Sequence, residues 1–269
     1  MPMIETQLPP FWPPSGISPR AETGGFRFGS KGTHSSRTLM FGDLDATLTA
    51  VPRPADRAAY IDAIVEGNCL QKPTTATRRL SAQRLSELYA LDPRVPLFRV
   101  LRSLWFIDSD ARQQLALLAA LARDPLLMAS APPVIALPVG AELPRASVYE
   151  ALRAAVDDRM NDATLDKVVR NVASSWVQSG HLVGRTFKHR QWIKARATTM
   201  AFALWLAEAA GFRGELLLRN GWIQVLDCTA SAARGLAVEA KRLDLIDLHT
   251  AGDVTDFGLK RLDPAMGRR

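Results

Sequence analysis

Two aspartates two residues apart, Asp43 and Asp45 in the run Asp43-Leu44-Asp45-Ala46-Thr47-Leu48-Thr49, could do chemistry on phosphorus. One carboxylate of such a pair attacks and the other moves the proton. A later acidic run, Gly252-Asp253-Val254-Thr255-Asp256, lies far along the chain from them. Such a pair does its work from a position fixed by the elements around it. Only Leu39, Met40 and Phe41 precede it, and the remaining apolar residues recur at helical spacing. Gly24 and Gly29 with Ser30-Lys31 lack the Gly-Lys-Ser/Thr order of a phosphate loop. His34, His181, His189 and His249 are scattered with no ligand spacing; His181 reads as structural and His189 as a phosphate neighbour. Cys69 and Cys228 lie far apart and read as buried small hydrophobes in a reducing compartment. No catalytic residue, metal ligand or cofactor is therefore assigned.

The cations are more informative. The 34 Lys and Arg against 27 Asp and Glu leave a formal charge of +7, which favours an anionic partner. From Gly67 to Ser86 there is no carboxylate, while Lys72, Arg78, Arg79 and Arg84 are present. Thr74, Thr75 and Thr77 crowd the start of the helix that carries the arginines. Free N–H groups, hydroxyls and guanidiniums at a helix N-terminus suit a phosphate. The bland alternative is a solvated face with capping threonines. Between Asp166 and Glu208 again no carboxylate occurs, but Lys167, Arg170, Arg185, Lys188, Arg190, Lys194 and Arg196 do. A solvated face normally mixes signs, so this stretch is the stronger candidate for nucleic acid. Trp192 lies within it between Arg190 and Lys194, and Asn171, Ser174, Ser175 and Gln178 could reach base edges.

Positioning these residues falls to helices. Residues 1–36 are rich in Pro, Gly, Ser and Thr and read as an irregular leader; 131–144 reads as a Pro-rich linker. These set off an N-terminal helical domain, 37–130, from a C-terminal one, 145–269. Periodicity predicts helices over 55–66, 75–90, 96–106 and 109–123, with Leu80, Leu85, Leu88, Leu101, Leu104, Trp105, Leu115, Leu118 and Leu121 inward. Further helices are predicted over 144–160, 162–178, 198–210 and 229–243. Strands are expected at 181–187, 191–195, 245–249 and 254–259, with a turn at 250–253. Helix, strand, turn, strand thus occurs twice, the outline of a winged helix. The fold expected is mainly α, two helical halves with helix-turn-helix and winged-helix elements and short β-hairpins. The apolar runs 115–122 and 200–207 are too short to span a bilayer, and the N-terminus lacks the pattern of a signal peptide. A cytoplasmic protein without a membrane or small-molecule substrate is expected.

The run Ala63-Ile64-Val65-Glu66-Gly67-Asn68-Cys69-Leu70-Gln71-Lys72, followed by Thr74-Thr75-Ala76-Thr77-Arg78-Arg79-Leu80, resembles the BrxA family of bacterial bacteriophage-exclusion (BREX) defence systems. The helix ending Trp176-Val177-Gln178-Ser179-Gly180-His181-Leu182 and the leader Phe28-Gly29-Ser30-Lys31-Gly32 are similar to the same family. The resemblance covers about residues 26–182. It implies a small, helical, non-enzymatic DNA-binding protein that acts with other defence proteins. The Asp43–Thr49 run in turn resembles the first motif of haloacid-dehalogenase-type phosphatases, and the Gly252–Asp256 run their late metal-binding motif. That resemblance implies a first motif ending a buried strand of a parallel sheet, which this chain does not offer, and the middle motifs are missing. The expectation is a protein that contacts double-stranded DNA mainly through phosphates. A scaffold for an acidic protein partner is the first alternative, and a phosphatase the second.

Overall fold

The structure, a computed structural model, describes residues 10–29, 31–156, 159–251 and 254–265. Its centre is two apolar helices packed on each other, α6 (Arg112–Arg123) and α11 (Ala197–Ala210). Gln114 to Ala122 are all buried in α6, and nearly every residue of α11 is buried. A helix apolar on all sides must be surrounded, and these are. Helices α4 (Thr75–Tyr89), α5 (Pro96–Leu104), α7 (Pro125–Ala129) and α10 (Asp162–Gln178) pack around α6. Helices α1 (Pro19–Gly24), α12 (Gly221–Gln224) and α13 (Ala230–Arg242) pack around α11. One apolar core therefore runs through both halves. No helix among the described residues is long and apolar enough to cross a membrane.

Helices α2 (Phe41–Ala50) and α3 (Arg57–Val65) precede α4, and α3 and α4 pack as a pair. Asp56 caps α3 by accepting from Ala59 N, and Thr74 caps α4 by accepting from Thr77 N. Leu80, expected inward, is 37% exposed on α4, whereas Leu85 and Leu88 are buried. Asp43 and Asp45 sit within α2, not at a strand end. Asp43 pairs with Lys72 at 2.9 Å, and Asp45 holds Arg112 at 3.0 Å and the Trp105 indole at 3.1 Å. The Gly252-Asp253 turn lies outside the described residues.

The Pro-rich stretch carries α8 (Ala131–Ile135) and an edge segment at 140–143. Pro132 and Pro133 fall in the first turn of α8, where a missing N–H costs nothing. The edge segment then pairs with β2 (His189–Arg190) through Gly140 N to Arg190 O, Arg190 N to Ala141 O, and Leu143 N to Lys188 O. On its other side β2 pairs antiparallel with β1 (Leu182–Val183), Leu182 opposite Arg190. Helices α9 (Arg145–Val156) and α10 lie between the edge segment and β1 in sequence. Helix, edge, two helices and a hairpin closing on the edge is the order of a winged helix. The return strand falls at 189–190 rather than 191–195 because the edge segment sets its register. The second hairpin, β3 (Asp247–Ala251) and β4 (Val254–Gly258), follows α11, α12 and α13 in a similar order.

Within the segment expected as an irregular leader, the described residues carry a helix, α1, and an aromatic anchor. Trp222 gathers Phe11, Trp12 and Phe26 at ring separations of 5.0, 6.0 and 5.7 Å, and its indole donates to Phe11 O. These aromatic contacts, spread along the chain, hold a segment whose composition alone suggests a coil. Gly25, at φ +102°, caps α1 in a left-handed conformation that glycine adopts without strain. The strap formed by residues 33–41 then runs along α10. Leu39 N donates to Ser175 Oγ, Asn171 Nδ2 to His34 O, and Gln178 Nε2 to Thr38 Oγ1.

Candidate nucleic-acid interface

The β1–β2 hairpin projects a tip, residues 184–188, that glycine makes possible. Gly184 has φ +110°, and a Cβ there would lie 2.0 Å from Phe187 O, so no other residue fits this turn. Phe187 on the tip is 64% exposed, Val183 on β1 50%, and Trp192, two residues beyond β2, 64%. Arg185 on the tip and Lys194 beyond β2 are exposed, and Lys188 Nζ donates to Arg185 O at 2.9 Å. None of these three cations pairs with a carboxylate among the described residues. On α10, Ala163, Lys167, Arg170 and Ser174 form one solvent-facing stripe at helical spacing, and Lys167 and Arg170 are likewise without a carboxylate partner among the described residues.

Two expected contacts are withdrawn. Arg190 is 2% exposed and its guanidinium pairs with Asp227, which is 7% exposed on the side chain. Arg190 Nε also donates to Val134 O at 3.1 Å. As a strand residue it points inward with its partner Leu182, while Val183 points out, so alternation directs it into the core. Arg196 is held by Asp108 at 2.7 Å and Asp110 at 3.5 Å, which lowers the Asp108 carboxyl below its usual range. Of the polar residues expected to read bases, Asn171, Ser175 and Gln178 are bound to the strap; only Ser174 remains on the open face.

The first basic stretch is divided in the same way. Lys72 belongs to Asp43 and Arg84 to Glu87. Arg78 ties α4 to α3, donating to Val65 O at 2.6 Å and to Thr75 Oγ1 at 3.0 Å. Thr74 Oγ1 lies 2.9 Å from Thr77 Oγ1, so its hydroxyl serves the cap. Arg79 is exposed and joins three arginines the sequence did not single out: Arg27, Arg57 and Arg123. Together they rim a groove of about 490 Å³ between α3 and α4, floored by Ile61, Val65 and Ala82. Arg57, Ile61 and Val65 share one face of α3, and Arg79, Ala82 and Ser86 one face of α4, a spacing that could have revealed it. Arg123 Nε donates to Glu87 O and Nη2 to Ser86 O, with Arg27 donating to Glu87 O from the other side. Burial first, then the Arg27 charge, brings Arg123 down to about 10. Glu87, the one carboxylate in the groove lining, is engaged by Arg84, Gln83 and Thr33.

Beneath the strap lies a buried trio with the connectivity of a hydrolase triad. His34 Nδ1 is 2.9 Å from Asp124 Oδ2, and Nε2 is 2.8 Å from Ser175 Oγ. A carboxylate only accepts, so Nδ1 carries a proton. Burial would raise the Asp124 carboxyl, but His34 and the backbone N–H groups of His34 and Leu127 outweigh it and hold it below its usual range. Serine and histidine are 0% exposed and the aspartate 1%. Ser175 Oγ already accepts from Leu39 N, so the trio fastens the strap and offers no nucleophile to a substrate. His181 is also structural, buried between Ser179 Oγ and Val225 O. Both cysteines are free and half-buried. Among the described residues no three His, Cys, Asp or Glu side chains are grouped to hold a metal ion. Compared with known proteins, the chain matches no family model and no curated protein.

Proposed function

We propose that this protein binds double-stranded DNA without catalysing a reaction, with the β1–β2 wing and the open stripe of α10 as the contact. The observation that carries the reading is the wing itself. Arg185, Lys188 and Lys194 stand without carboxylate partners among the described residues, and Phe187 and Trp192 in the same stretch are each left 64% exposed. Phosphates would neutralise the cations, and Phe187 or Trp192 would cover apolar surface against the sugar edges or wedge at a base step. Lys167 and Arg170 on α10 add two exposed cations, also without carboxylate partners among the described residues. The resemblance to the BrxA family supports a place in a bacterial bacteriophage-exclusion system, in the cytoplasm, beside other defence proteins.

Salt-titrated binding to two unrelated duplexes tests the proposal. Each phosphate contact contributes a slope of about −0.9 to the plot of log affinity against log salt. Changing Arg185, Lys188 and Lys194 together to Ala should make the slope shallower by about 2 to 3 units on both duplexes. Phe187→Ala with Trp192→Ala should lower affinity at every salt concentration and leave the slope alone. An unchanged slope in the folded triple variant sinks the proposal. A second reading is favoured by the apolar floor of the arginine groove, which suits an acidic, partly apolar segment of a partner protein better than a bare phosphate. Arg57→Glu with Arg79→Glu should then abolish capture of that partner and leave the wing-dependent slope intact.

A further inference from the structure

We infer that the cavity between α3, α5 and the segment after β4 is a binding site for a small organic anion with an apolar body. It opens to solvent and has a volume of about 600 Å³, within the range of pockets that hold metabolite-sized ligands. Its walls are mostly apolar: Tyr60 and Phe98, edge to face at 5.1 Å, and Leu262 opposite.

Four charged side chains line it: Arg53, Arg99, Arg102 and Asp263. Asp263, 3% exposed, is taken by Arg99 through two hydrogen bonds of 2.9 and 2.7 Å. That pair cancels and leaves two guanidiniums uncompensated. Arg102 is 6% exposed. Its Nε donates to Tyr60 Oη and its Nη2 to Val51 O, while its Cζ sits 4.4 Å from the centre of the Phe106 ring. Its Nη1 is buried and has no hydrogen-bond partner among the described residues. A buried guanidinium N–H without an acceptor is costly, and native proteins rarely leave one. Arg53, on the exposed side of the lining, is held below its usual range by partial burial first and then by the nearby Arg102. A carboxylate, sulfonate or phosphate group between the two arginines would give Arg102 Nη1 an acceptor and Arg53 a counter-charge. An inorganic ion alone would leave the apolar walls uncovered, and a neutral ligand would leave the charges unanswered.

Naphthalene-1-sulfonate, its neutral analogue naphthalene-1-sulfonamide, and inorganic sulfate are the probes, titrated calorimetrically into the full chain. The sulfonate should bind about tenfold more tightly than the sulfonamide, since a charge-assisted hydrogen bond is worth about that factor. Arg53→Ala should remove that advantage and leave the sulfonamide unchanged. Ser103→Phe fills the cavity, and Ala265→Trp, on its exposed rim, plugs the mouth without touching the core; each should abolish binding of both aromatic probes. Equal affinity of sulfonate and sulfonamide overturns the proposal. So does sulfonate binding that survives Ala265→Trp, or inorganic sulfate binding as tightly as the sulfonate.

Discussion

Replacement of Arg190 by alanine removes a guanidinium that donates to Asp227, to Val134 O and to Gln191 O in the core. The Asp227 carboxylate is left with one donor, Ile193 N at 2.9 Å, and with no compensating charge. Stranding one partner of a buried ion pair costs about 3–5 kcal/mol. For 269 residues the unfolding entropy is about 0.56 kcal/mol/K, from roughly 2.1 cal/mol/K per residue. The melting temperature should therefore fall by about 5–9 °C. Arg185→Ala, a change at an exposed site a few residues away, should shift it by about a degree or less. Arg190→Met with Asp227→Leu removes both charges and should recover most of the loss. Scanning calorimetry gives the melting temperatures, and the salt dependence of DNA binding is read on the same preparations. Arg190→Ala melting within 2 °C of the wild type, with a salt slope shallower by about one unit, would place this side chain on DNA and refute the core assignment.

Two further outcomes follow from the buried polar groups. His181 is brought down to about 4, by burial first and by the neighbouring Arg190, whereas the unfolded residue titrates near 6.5. Its neutral form is the folded one, so its contribution is full above pH 6.5 and is lost as pH falls towards 4, by about 3 kcal/mol in all. Urea denaturation across that window should be steeper in pH for the wild type than for His181→Asn; equal slopes would show that His181 does not titrate on unfolding. Ser175→Ala leaves Leu39 N without its acceptor and should cost about 1–3 kcal/mol with no change in DNA affinity. A loss of generic esterase activity in this variant, with stability unchanged, would instead make the His34 trio an active site.

The long amphipathic helices were legible because periodicity and caps agree. Helix α10, Asp162–Gln178, has its expected limits, with Asn161 accepting from Thr164 N at its start. Helix α2 was not legible: Met40 supplies no capping side chain, and Asp43 and Asp45 drew attention to chemistry instead. Prolines at the first turn of α8 imitate a linker, and only the edge segment that follows shows otherwise. The wing cations Arg185, Lys188 and Lys194 could be read from the sequence, but the fate of Arg190 and Arg196 could not. Their carboxylates, Asp227 and Asp108, come from outside the stretch that lacks them, so an acid-free run along the chain is not acid-free in space. The arginine groove was missed for the converse reason, its members being dispersed from Arg27 to Arg123.

The strap also sets an order of events during synthesis. Leu39 N and its acceptor Ser175 Oγ are 136 positions apart, and His34 and Ser175 are 141 apart. At about 5–20 residues per second, the ribosome delivers α10 roughly 7 to 30 s after the strap has been made. Tyr89 and Asp124 arrive earlier, but Leu39 N and His34 Nε2 must find water or a chaperone until Ser175, the partner of both, is made. A chain cut in the proline-rich stretch would remain in that waiting state, however well its own helices form. The first half is thus finished by the second, and folding intermediates trapped on the ribosome should carry the strap exposed to proteases until α10 arrives.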